Sequence, residues 1–535
     1  MMDKQTFERN LLALAKSDPV LCSKLSSALT TTGVYRFLQT RSGELIPALS
    51  NVQGSSLPLH SIVDPLREGD RLISTLNEEG CLIFLGLGGA FAAKAALKRE
   101  ATKKIIIIEY DCNGLAELLS SKSYIDILSD SRFRFLLDPG PEQIISHILE
   151  NYRPAIDGGI RLLPLRTRTD TDKRFIEAAE AVKQAIDAVS RDYSVQAYFG
   201  KRWFSNIIRN LTLAEKQCIS IPSVKRAFVF AAGPSLEEQI PGIKKELAAR
   251  KQQTELYLIA CDTAFPILLQ SGIEPDAVIS IDCQHIGYQH FFGILPEKTN
   301  LVLDLGSPPL IASRSSNRIF FSGGHPLSQY ISRVWRSLPV LDTSGANVCY
   351  AALSLAENLG AKEVSLYGAD FSYPLGKTYA RGAYIYSYFN KFQSRYTPLE
   401  ALHSAFLYRD TSLQKHFTGT EQEHWYYQTR SLNFYKEKAD QKILHIRNAA
   451  SRPLSFFSAG PVTQSAFDFL KHYRTSLEQL SSFDPLLNQK QNELLTSLLP
   501  MAAYIRRTNP LLSSRELFEF VKSTILSELD MIIQS

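Results

Sequence analysis

A Gly-Pro-Ser turn in this sequence has the residue types of a phosphate-binding site. In "FVFAAGPSLEEQ", Gly233, Pro234 and Ser235 stand between an apolar strand-like run and a charged helical segment. Gly adopts backbone angles closed to other residues, and Pro presets a helix start. Ser235 followed by Glu238 three positions later indicates a capping box, which would leave backbone N–H groups free at the positive end of a helix. Such turns bind phosphate, although many strand-to-helix turns look alike and bind nothing.

Single acidic residues follow the apolar runs further along the chain. Asp262 and Asp282 each come directly after a run predicted as a strand, and Gly368 and Asp370 follow the last run. Because ligands of open parallel sheets bind beyond the carboxyl ends of the strands, we expect these residues on one rim with the Gly-Pro-Ser turn. An Asp after a strand is also a common helix cap, and Asp262 precedes the helical "TAFPILL". Three acids on one rim with the turn favour a binding site.

The elements that must position these residues form an alternating pattern. Apolar runs at 227–232, 255–260, 276–281, 300–305, 317–321 and 363–368 predict strands. Helical segments lie between several of them, including one that ends at Gly272 and one that ends at Gly360. Alternation of nearly continuous apolar strands with helices predicts a parallel sheet.

A second such pattern lies nearer the N-terminus. "CLIFLGLGGAFAAKAALKREATKKIIIIEYD" predicts a strand, a glycine-rich turn, a helix and a second strand. Gly86, Gly88 and Gly89 occupy the turn, and Glu109 lies where a ribose-binding acid would stand in a dinucleotide or S-adenosylmethionine fold. No further Gly follows at the expected helix position. The pattern therefore favours a structural Rossmann-like domain over a working cofactor site.

The fold class predicted from these patterns is α/β, with two Rossmann-like parallel-sheet domains in tandem followed by a helical C-terminal region. A chain of 535 residues predicts two to four domains. We divide it into a small N-terminal α/β region (1–75), an N-terminal Rossmann-like domain (76–170), a linker expected to be a helical pair (171–220), a central Rossmann domain (221–390), an aromatic insertion (391–455) and a helical C-terminal region (456–535).

Composition excludes several classes of function. The net charge is +5, and Lys and Arg are interspersed with acids, so no footprint for nucleic acid is expected. The seven cysteines are scattered without a C-x-x-C pair, which indicates a reducing compartment. We find no signal peptide and no apolar run long enough to span a bilayer. These features predict a cytoplasmic protein.

The insertion after Gly376 is rich in Tyr and His. Such side chains offer stacking area and hydrogen bonds, so the segment is either a lid that faces a substrate or an embellishment packed on the core. His403, His416 and His424 have no metal-ligand spacing.

Several separate motifs carry a family resemblance over about residues 80 to 390. "AAGPSLEE", "IACDTAFPILLQSGIEPDAVISIDCQ" and "TSGANVCYAALSLAENLGAKEVSLYGADFSYPLGKTYARG" resemble the central domain of the motility-associated factor (Maf) flagellin glycosyltransferases. "GKRWFSNIIRNL" and "LGLGGAF" to "IIIIEYD" resemble that family's linker and N-terminal domain. The core is also similar to archaeal 6-hydroxymethylpterin diphosphokinases (MptE-like), and its last block to bacterial sialyltransferases.

The Maf resemblance implies an inverting transfer of a nonulosonic acid, such as pseudaminic or legionaminic acid, from a CMP-activated donor to Ser or Thr of flagellin or a similar protein. No metal or other cofactor is required on this view. The expected nucleotide-binding residues, with the strand-end acids included, are Gly233, Pro234, Ser235, Asp262, Asp282, Thr343, Ser344, Gly345 and Gly368. The expected catalytic residues are Asp370, Tyr373 and Tyr379.

The sequence departs from the family pattern at Tyr379, where the resemblance implies a His. A Tyr has a pKa near 10 and is a poor base at neutral pH. Either a lid histidine takes the acceptor proton or the activity is altered. Asn347, where a small or Ser-like residue is expected, is a milder change.

Two alternatives stay open. In the first, Asp262, Asp282 and Asp370 hold Mg²⁺ against the phosphates of ATP for pyrophosphoryl transfer to a pterin. In the second, the chain is a non-enzymatic flagellar assembly factor that uses its helical tail for protein contacts. The sugar, the acceptor site, the catalytic base and the oligomeric state are not determined by the sequence.

Overall fold

The chain divides into two compact units, 1–198 and 199–535. The computed structural model describes residues 4–28, 33–50, 56–165, 172–217, 219–248, 256–291, 293, 295–418, 424–448, 457–483 and 489–534. The finer division into six regions stays a prediction.

Unit 1 contains a small antiparallel sheet and a four-stranded parallel sheet, ordered β1-β2-β3 and β6-β5-β4-β7. Its strands are β1 Tyr35–Gln39, β2 Leu45–Ser50, β3 Ser56–Pro58, β4 Glu79–Leu85, β5 Lys104–Glu109, β6 Phe133–Leu137 and β7 Gly159–Pro164. Its helices are α1 Lys4–Ala15, α2 Pro19–Ser26, α3 Pro65–Ser74, α4 Phe91–Leu97, α5 Cys112–Ser121, α6 Ile125–Leu128, α7 Pro141–Asn151 and α8 Pro154–Asp157.

The parallel sheet of unit 1 is buried on both faces. Side chains alternate along a strand, so Leu82 and Phe84 of β4 pack into one core while Ile83 and Leu85 pack into the other. This double burial explains why the strands have nearly continuous apolar sequences.

A single helix, α9 (Lys173–Glu215), replaces the helical pair predicted for this segment. Its sequence contains one potential break, Gly200. A Cβ at that position would lie 3.2 Å from the backbone nitrogen of Met501 and closer still to the Pro500 carbonyl. The glycine therefore permits a close approach to the chain near residue 500 within unit 2 and does not end the helix.

Unit 2 is built on a six-stranded parallel sheet with the order β13-β12-β11-β10-β9-β14. Its strands are β8 Ser220–Ile221, β9 Arg226–Phe230, β10 Leu256–Cys261, β11 Ala277–Ser280, β12 Asn300–Asp304, β13 Arg318–Phe321, β14 Glu363–Tyr367, β15 Tyr373–Pro374, β16 Gln414–Thr418, β17 His424–Gln428 and β18 Phe457–Ser458. All six predicted strands of the central sheet are confirmed, each with small shifts in its ends.

The helices of unit 2 cover this sheet and form the C-terminal region. They are α10 Leu236–Ala248, α11 Phe265–Gln270, a 3₁₀ helix His285–Phe291, α12 Pro309–Ala312, α13 Pro326–Val334, α14 Val348–Asn358, α15 Tyr384–Asn390, α16 Leu399–Leu407, α17 Arg430–Asn448, α18 Ala466–Glu478, α19 Gln489–Ser497, α20 Leu499–Thr508 and α21 Ser514–Ile533. The fold class is confirmed: two parallel α/β sheets precede a helical C-terminal region. Within the described ranges, no helix has the length and apolar content to cross a membrane.

The order of the central strands creates a switch point. Successive strands from β9 to β13 add in one direction, whereas β14 returns to pair with the other side of β9. Loops leaving β9 and β14 diverge there, at the edge where open α/β sheets bind ligands.

Candidate functional site

The Gly-Pro-Ser turn and Asp370 meet at the switch point. The Gly233 amide donates to the Gly368 carbonyl at 2.7 Å, and the Ser235 amide donates to Asp370 Oδ2 at 3.1 Å. A Cβ on Gly233 would overlap the Asp370 carboxylate and lie 2.5 Å from the Gly368 oxygen. Glycine is therefore required here by close approach.

These contacts differ from the predicted turn. The expected box used Ser235 and Glu238, but at this helix start the Ser235 amide is bound by the carboxylate of Asp370. The next two amides, of Leu236 and Glu237, donate to the carbonyls of Gly233 and Pro234. The amides that were expected to be free for phosphate are thus hydrogen-bonded within the chain. The Gly-Pro-Ser turn therefore positions Asp370. Contact of the turn with a nucleotide stays a prediction.

Asp262 and Asp282 are neighbours at the ends of β10 and β11. Asp262 is 3% exposed and accepts hydrogen bonds from the Ser280 hydroxyl and the Thr263 amide, both at 2.7 Å. Helix α11 begins after Ala264, so Asp262 is not its side-chain cap. Burial raises the pKa of Asp282 and the Asp262 carboxylate adds to the rise, while His290 opposes it.

Tyr379 lies in an aromatic cluster beside these acids. Its ring centroid is 6.3 Å from that of Tyr384 and 6.2 Å from that of Phe406. Burial raises the pKa of Tyr379 above its ordinary value, and the charge of Asp262 contributes to the rise. The phenol is therefore protonated at neutral pH, which suits it to donate a hydrogen bond and makes it a poor base.

Tyr373 connects the aromatic insertion to the region around Tyr379. It lies in the short strand β15, which pairs with β17 so that Tyr373 stands opposite Tyr427. Burial raises its pKa, and Arg409 opposes that rise as it does for Tyr379 and Tyr384. The Arg409 guanidinium is therefore within electrostatic range of all three phenols.

His290, Tyr384 and Arg409 are candidate site residues that sequence reasoning missed. The His290 ring, on the 3₁₀ helix, meets the Tyr384 ring edge to face with centroids 4.4 Å apart. The Arg409 guanidinium lies 3.7 Å from the centroid of Phe406. No spacing rule links these residues, and only the aromatic richness around residue 384 was a usable signal.

The lid histidines considered as bases pack against aromatic rings, and Nε2 of His403 is buried without a hydrogen-bond partner among the described residues. The His403 ring packs against Tyr386 and Phe389, and His416 stacks on Tyr426 with an interplanar angle of 19°. The side chain of His424 lies outside the described part of the chain.

The Thr343-Ser344-Gly345 turn is held by its own hydrogen bonds. Asp342 accepts from the Ser344 amide at 3.0 Å and from the Tyr350 hydroxyl at 2.7 Å. Burial opposes ionisation, but these bonds and the Lys442 ammonium lower the pKa of Asp342 to about 2. A Cβ on Gly345 would lie 2.6 Å from Tyr350 Cβ, so the turn accepts only glycine there.

Asn347 has a structural role beside this turn. Its side chain caps α14 by accepting from the Tyr350 amide at 2.9 Å, and it donates to the Gly345 carbonyl at 2.9 Å. Asn is a favoured N-cap residue, so the residue that departs from the family pattern here has a structural role. Ser344 is exposed, and a hydrogen bond of its side chain to Asp342 contributes to the lowered pKa of that carboxyl.

Two asparagines of α9 tie down the loops after β11 and β12. Asn206 Nδ2 donates to the carbonyls of Cys283 and Gly306 at 3.1 and 2.8 Å. Asn210 Nδ2 donates to the carbonyls of Leu305 and Ser307, both at 2.8 Å. The "GKRWFSNIIRNL" motif thus holds the loops that follow β11 and β12 at the carboxyl edge of the sheet.

The glycine-rich turn of unit 1 is filled by the chain itself. Glu109 accepts from the Leu87 amide at 2.8 Å, and His60 Nε2 accepts from the Gly89 amide at 2.8 Å. Tyr124 donates to the Gly88 carbonyl at 2.9 Å. Glu109 is fully buried and holds the turn from within, which agrees with a structural role for this domain.

The three acids of the pyrophosphokinase alternative do not form a metal site. Among the residues that the structure describes, no group of three or more His, Cys, Asp or Glu side chains is placed to hold a metal ion. Asp370 binds the Ser235 amide, whereas Asp262 and Asp282 lie together at the ends of other strands. The three acids therefore do not form one cluster, and Mg²⁺ binding by Asp262 and Asp282 together with substrate phosphates stays a prediction of that reading.

Comparison with known proteins gives matches at two levels. The family model described as "6-hydroxymethylpterin diphosphokinase MptE-like" matches residues 201–376. An uncharacterized protein of Treponema pallidum (strain Nichols) is 34% identical over 176 residues, which are 32% of this chain and 80% of that protein. A second uncharacterized protein of the same organism is 36% identical over 157 residues, 28% of this chain and 54% of that protein. The chain belongs to the same family as the first of these.

The structure of a Maf glycosyltransferase from Magnetospirillum magneticum AMB-1 matches over nearly the full length. The match covers 99% of this chain and 96% of that chain, with a TM-score of 0.61 and 13% sequence identity. At that identity the match shows a shared fold. Together with the MptE-like match, it confirms the resemblance found in the sequence motifs.

Proposed function

This chain is Maf-like in fold and carries an MptE-like domain, and from that premise we propose that it is a glycosyltransferase. It transfers a nonulosonic acid of the pseudaminic or legionaminic type from a CMP-activated donor to Ser or Thr of flagellin or a similar protein, in the cytoplasm and in support of motility. The transfer inverts the sugar and needs no metal.

The observation that carries the proposal is the charge pattern of the rim. Arg409 stacks on Phe406 beside Tyr379, within electrostatic range of the phenols of Tyr373, Tyr379 and Tyr384. Tyr379 and Tyr384 in turn lie within electrostatic range of Asp262, which follows strand β10 of the parallel sheet. Departure of CMP develops negative charge on its phosphate. Protonated phenols and a guanidinium stabilise such charge without a metal ion.

The other residues have positioning roles in this reaction. Ser344, in the turn held by Asp342, contacts the cytidine or its phosphate together with Thr343 and Gly345. Asp370, held by the Ser235 amide, lies beside the bond between the sugar and CMP. Asp262 and Asp282 complete the donor site on the neighbouring strands.

Calorimetric titration tests the proposal directly. The protein is titrated with CMP and with a non-hydrolysable ATP analogue, each with and without Mg²⁺. We expect CMP binding that is independent of metal and is lost in Ser344→Ala. Ser523→Ala, an exposed serine of α21, is the matched control and should bind CMP as the wild type does.

The alternatives give different outcomes in the same experiment. The MptE-like match makes pyrophosphoryl transfer the second candidate, and it predicts ATP binding that requires Mg²⁺. Binding of neither nucleotide would favour an assembly factor. If Asp370→Ala and Ser344→Ala both keep full transfer activity, the site assignment is wrong.

A further inference from the structure

His290 is a buried histidine in the acid and tyrosine cluster of the rim. It is 6% exposed, and its Nδ1 atom is buried without a hydrogen-bond partner among the described residues. Its ring touches that of Tyr384, and it is close enough to Asp282 to influence that carboxyl. A buried imidazole with an unpaired nitrogen is costly unless a ligand uses it.

The groups around His290 are less suited to accept a proton. Both oxygens of Asp262 already receive hydrogen bonds, and Asp282 accepts from the Gln284 amide at 2.8 Å. Tyr379 and Tyr384 are held protonated by burial. Arg409 is a permanent cation. Among these groups the imidazole of His290 has an unpaired ring nitrogen, Nδ1, which accepts a proton when the neutral ring carries its hydrogen on Nε2.

We propose that His290 is the general base of the transfer reaction, an inference that rests on the proposed function. In the transfer, the acceptor Ser or Thr hydroxyl gives its proton to the His290 imidazole. The acceptor oxygen forms the new bond to the anomeric carbon of the sugar. The bond from that carbon to the phosphate oxygen breaks, and its electron pair leaves with CMP.

This assignment supplies the base that position 379 lacks. The Tyr379 ring is 6.3 Å from Tyr384, and Tyr384 contacts His290, so the imidazole lies one aromatic ring away from Tyr379. Tyr384 and Asp282 then orient the His290 ring, and Tyr373 and Tyr379 stabilise the leaving group.

The test compares two histidines of the same 3₁₀ helix. His290 is buried in the rim, whereas His285, at the start of the helix, is exposed. His290→Gln and His290→Ala are measured against His285→Gln. The readouts are CMP affinity by calorimetry and the rate of sugar transfer from CMP-pseudaminic or CMP-legionaminic acid to unglycosylated flagellin of the source organism.

We expect His290→Gln to bind CMP as the wild type does and to transfer sugar about 10²- to 10⁴-fold more slowly, the usual effect of losing a general base. Added imidazole should restore part of the rate in His290→Ala, which a purely structural role would not predict. His285→Gln should transfer at the wild-type rate.

The outcomes separate this inference from the function on which it rests. Transfer by His290→Gln within threefold of the wild type, with the wild type active, overturns the role of His290 alone. A wild-type protein that neither binds CMP nor transfers sugar overturns the proposed function and this inference with it. Loss of CMP binding in His290→Gln assigns the residue to folding or donor binding and also overturns the inference.

Discussion

Replacing Gly233 with alanine tests the packing at the switch point. The added Cβ would overlap the Asp370 carboxylate, which must move away from the Ser235 amide. A hydrogen bond to a charged group contributes about 1.5–3 kcal/mol, and overpacking a tight site costs about 1–3 kcal/mol. We expect Gly233→Ala to destabilise unit 2 by about 3 kcal/mol.

Gly242 in α10 is the matched control. A Cβ there would meet nothing within 4 Å, and the residue lies in a helix interior. The same substitution should therefore stabilise unit 2 by about 0.5–1 kcal/mol, because alanine loses less backbone entropy than glycine on folding. Both variants add one methyl group, but Gly233→Ala is expected to lower the stability of unit 2 and Gly242→Ala to raise it.

Tryptophan fluorescence reports on this unit selectively. The three tryptophans of the chain, Trp203, Trp335 and Trp425, all belong to unit 2. Urea unfolding followed by fluorescence should show a lower midpoint for Gly233→Ala and a higher one for Gly242→Ala. Equal stability of Gly233→Ala and wild type would refute the packing argument, and with it the view that the turn serves to position Asp370.

Two further predictions concern buried polar groups. Asn206→Ala leaves the carbonyls of Cys283 and Gly306 unpaired and should lower the stability of unit 2 by about 2 kcal/mol or more in the same fluorescence assay, whereas Asn206→Asp should not restore it because a carboxylate cannot donate. Burial raises the pKa of Glu109 from 4.5 to about 7, so the folded state binds its proton more tightly than the unfolded state. The stability of unit 1 should therefore fall by up to about 3 kcal/mol as the pH rises from about 4.5 to about 7, and Glu109→Gln should remove this fall. Hydrogen exchange of peptides from Lys104–Glu109, corrected for intrinsic rates, measures this loss of stability. If Glu109→Gln shows the same pH dependence as the wild type, the loss does not come from Glu109.

Predictions from local sequence patterns succeeded for the sheet. The strands of both parallel sheets are buried on both faces, so their sequences are nearly continuous apolar runs. Such runs can be recognised in the sequence without knowing which elements pack against them. Gly272 and Gly360 have positive φ values of 70° and 80° and lie just past their helices, as predicted. The helical pair predicted at 171–220 is instead one helix, in which Gly200 permits a close approach of the chain and does not end the helix.

The site itself was only partly predictable. Strand-end residues such as Asp262 and Asp370 were found because the carboxyl ends of parallel strands always form one edge. The partners of these residues were not found. Ser235 and Asp370 are 135 positions apart, and the carboxylate of Asp370 occupies the helix start that a local capping box was expected to fill.

The sequence by itself therefore determined the fold class, all six strands of the central sheet, two of the four strands of the unit 1 parallel sheet, and the sheet edge on which the polar residues lie. These follow from periodicity and from the chirality of parallel sheets. Only the tertiary structure decided which side chains meet. The contact of His290 with Tyr384, the position of Arg409 beside three phenols and the closure of the unit 1 glycine turn by Glu109 and His60 join distant segments. Such contacts depend on how loops pack after the strands have paired, and no local pattern encodes them.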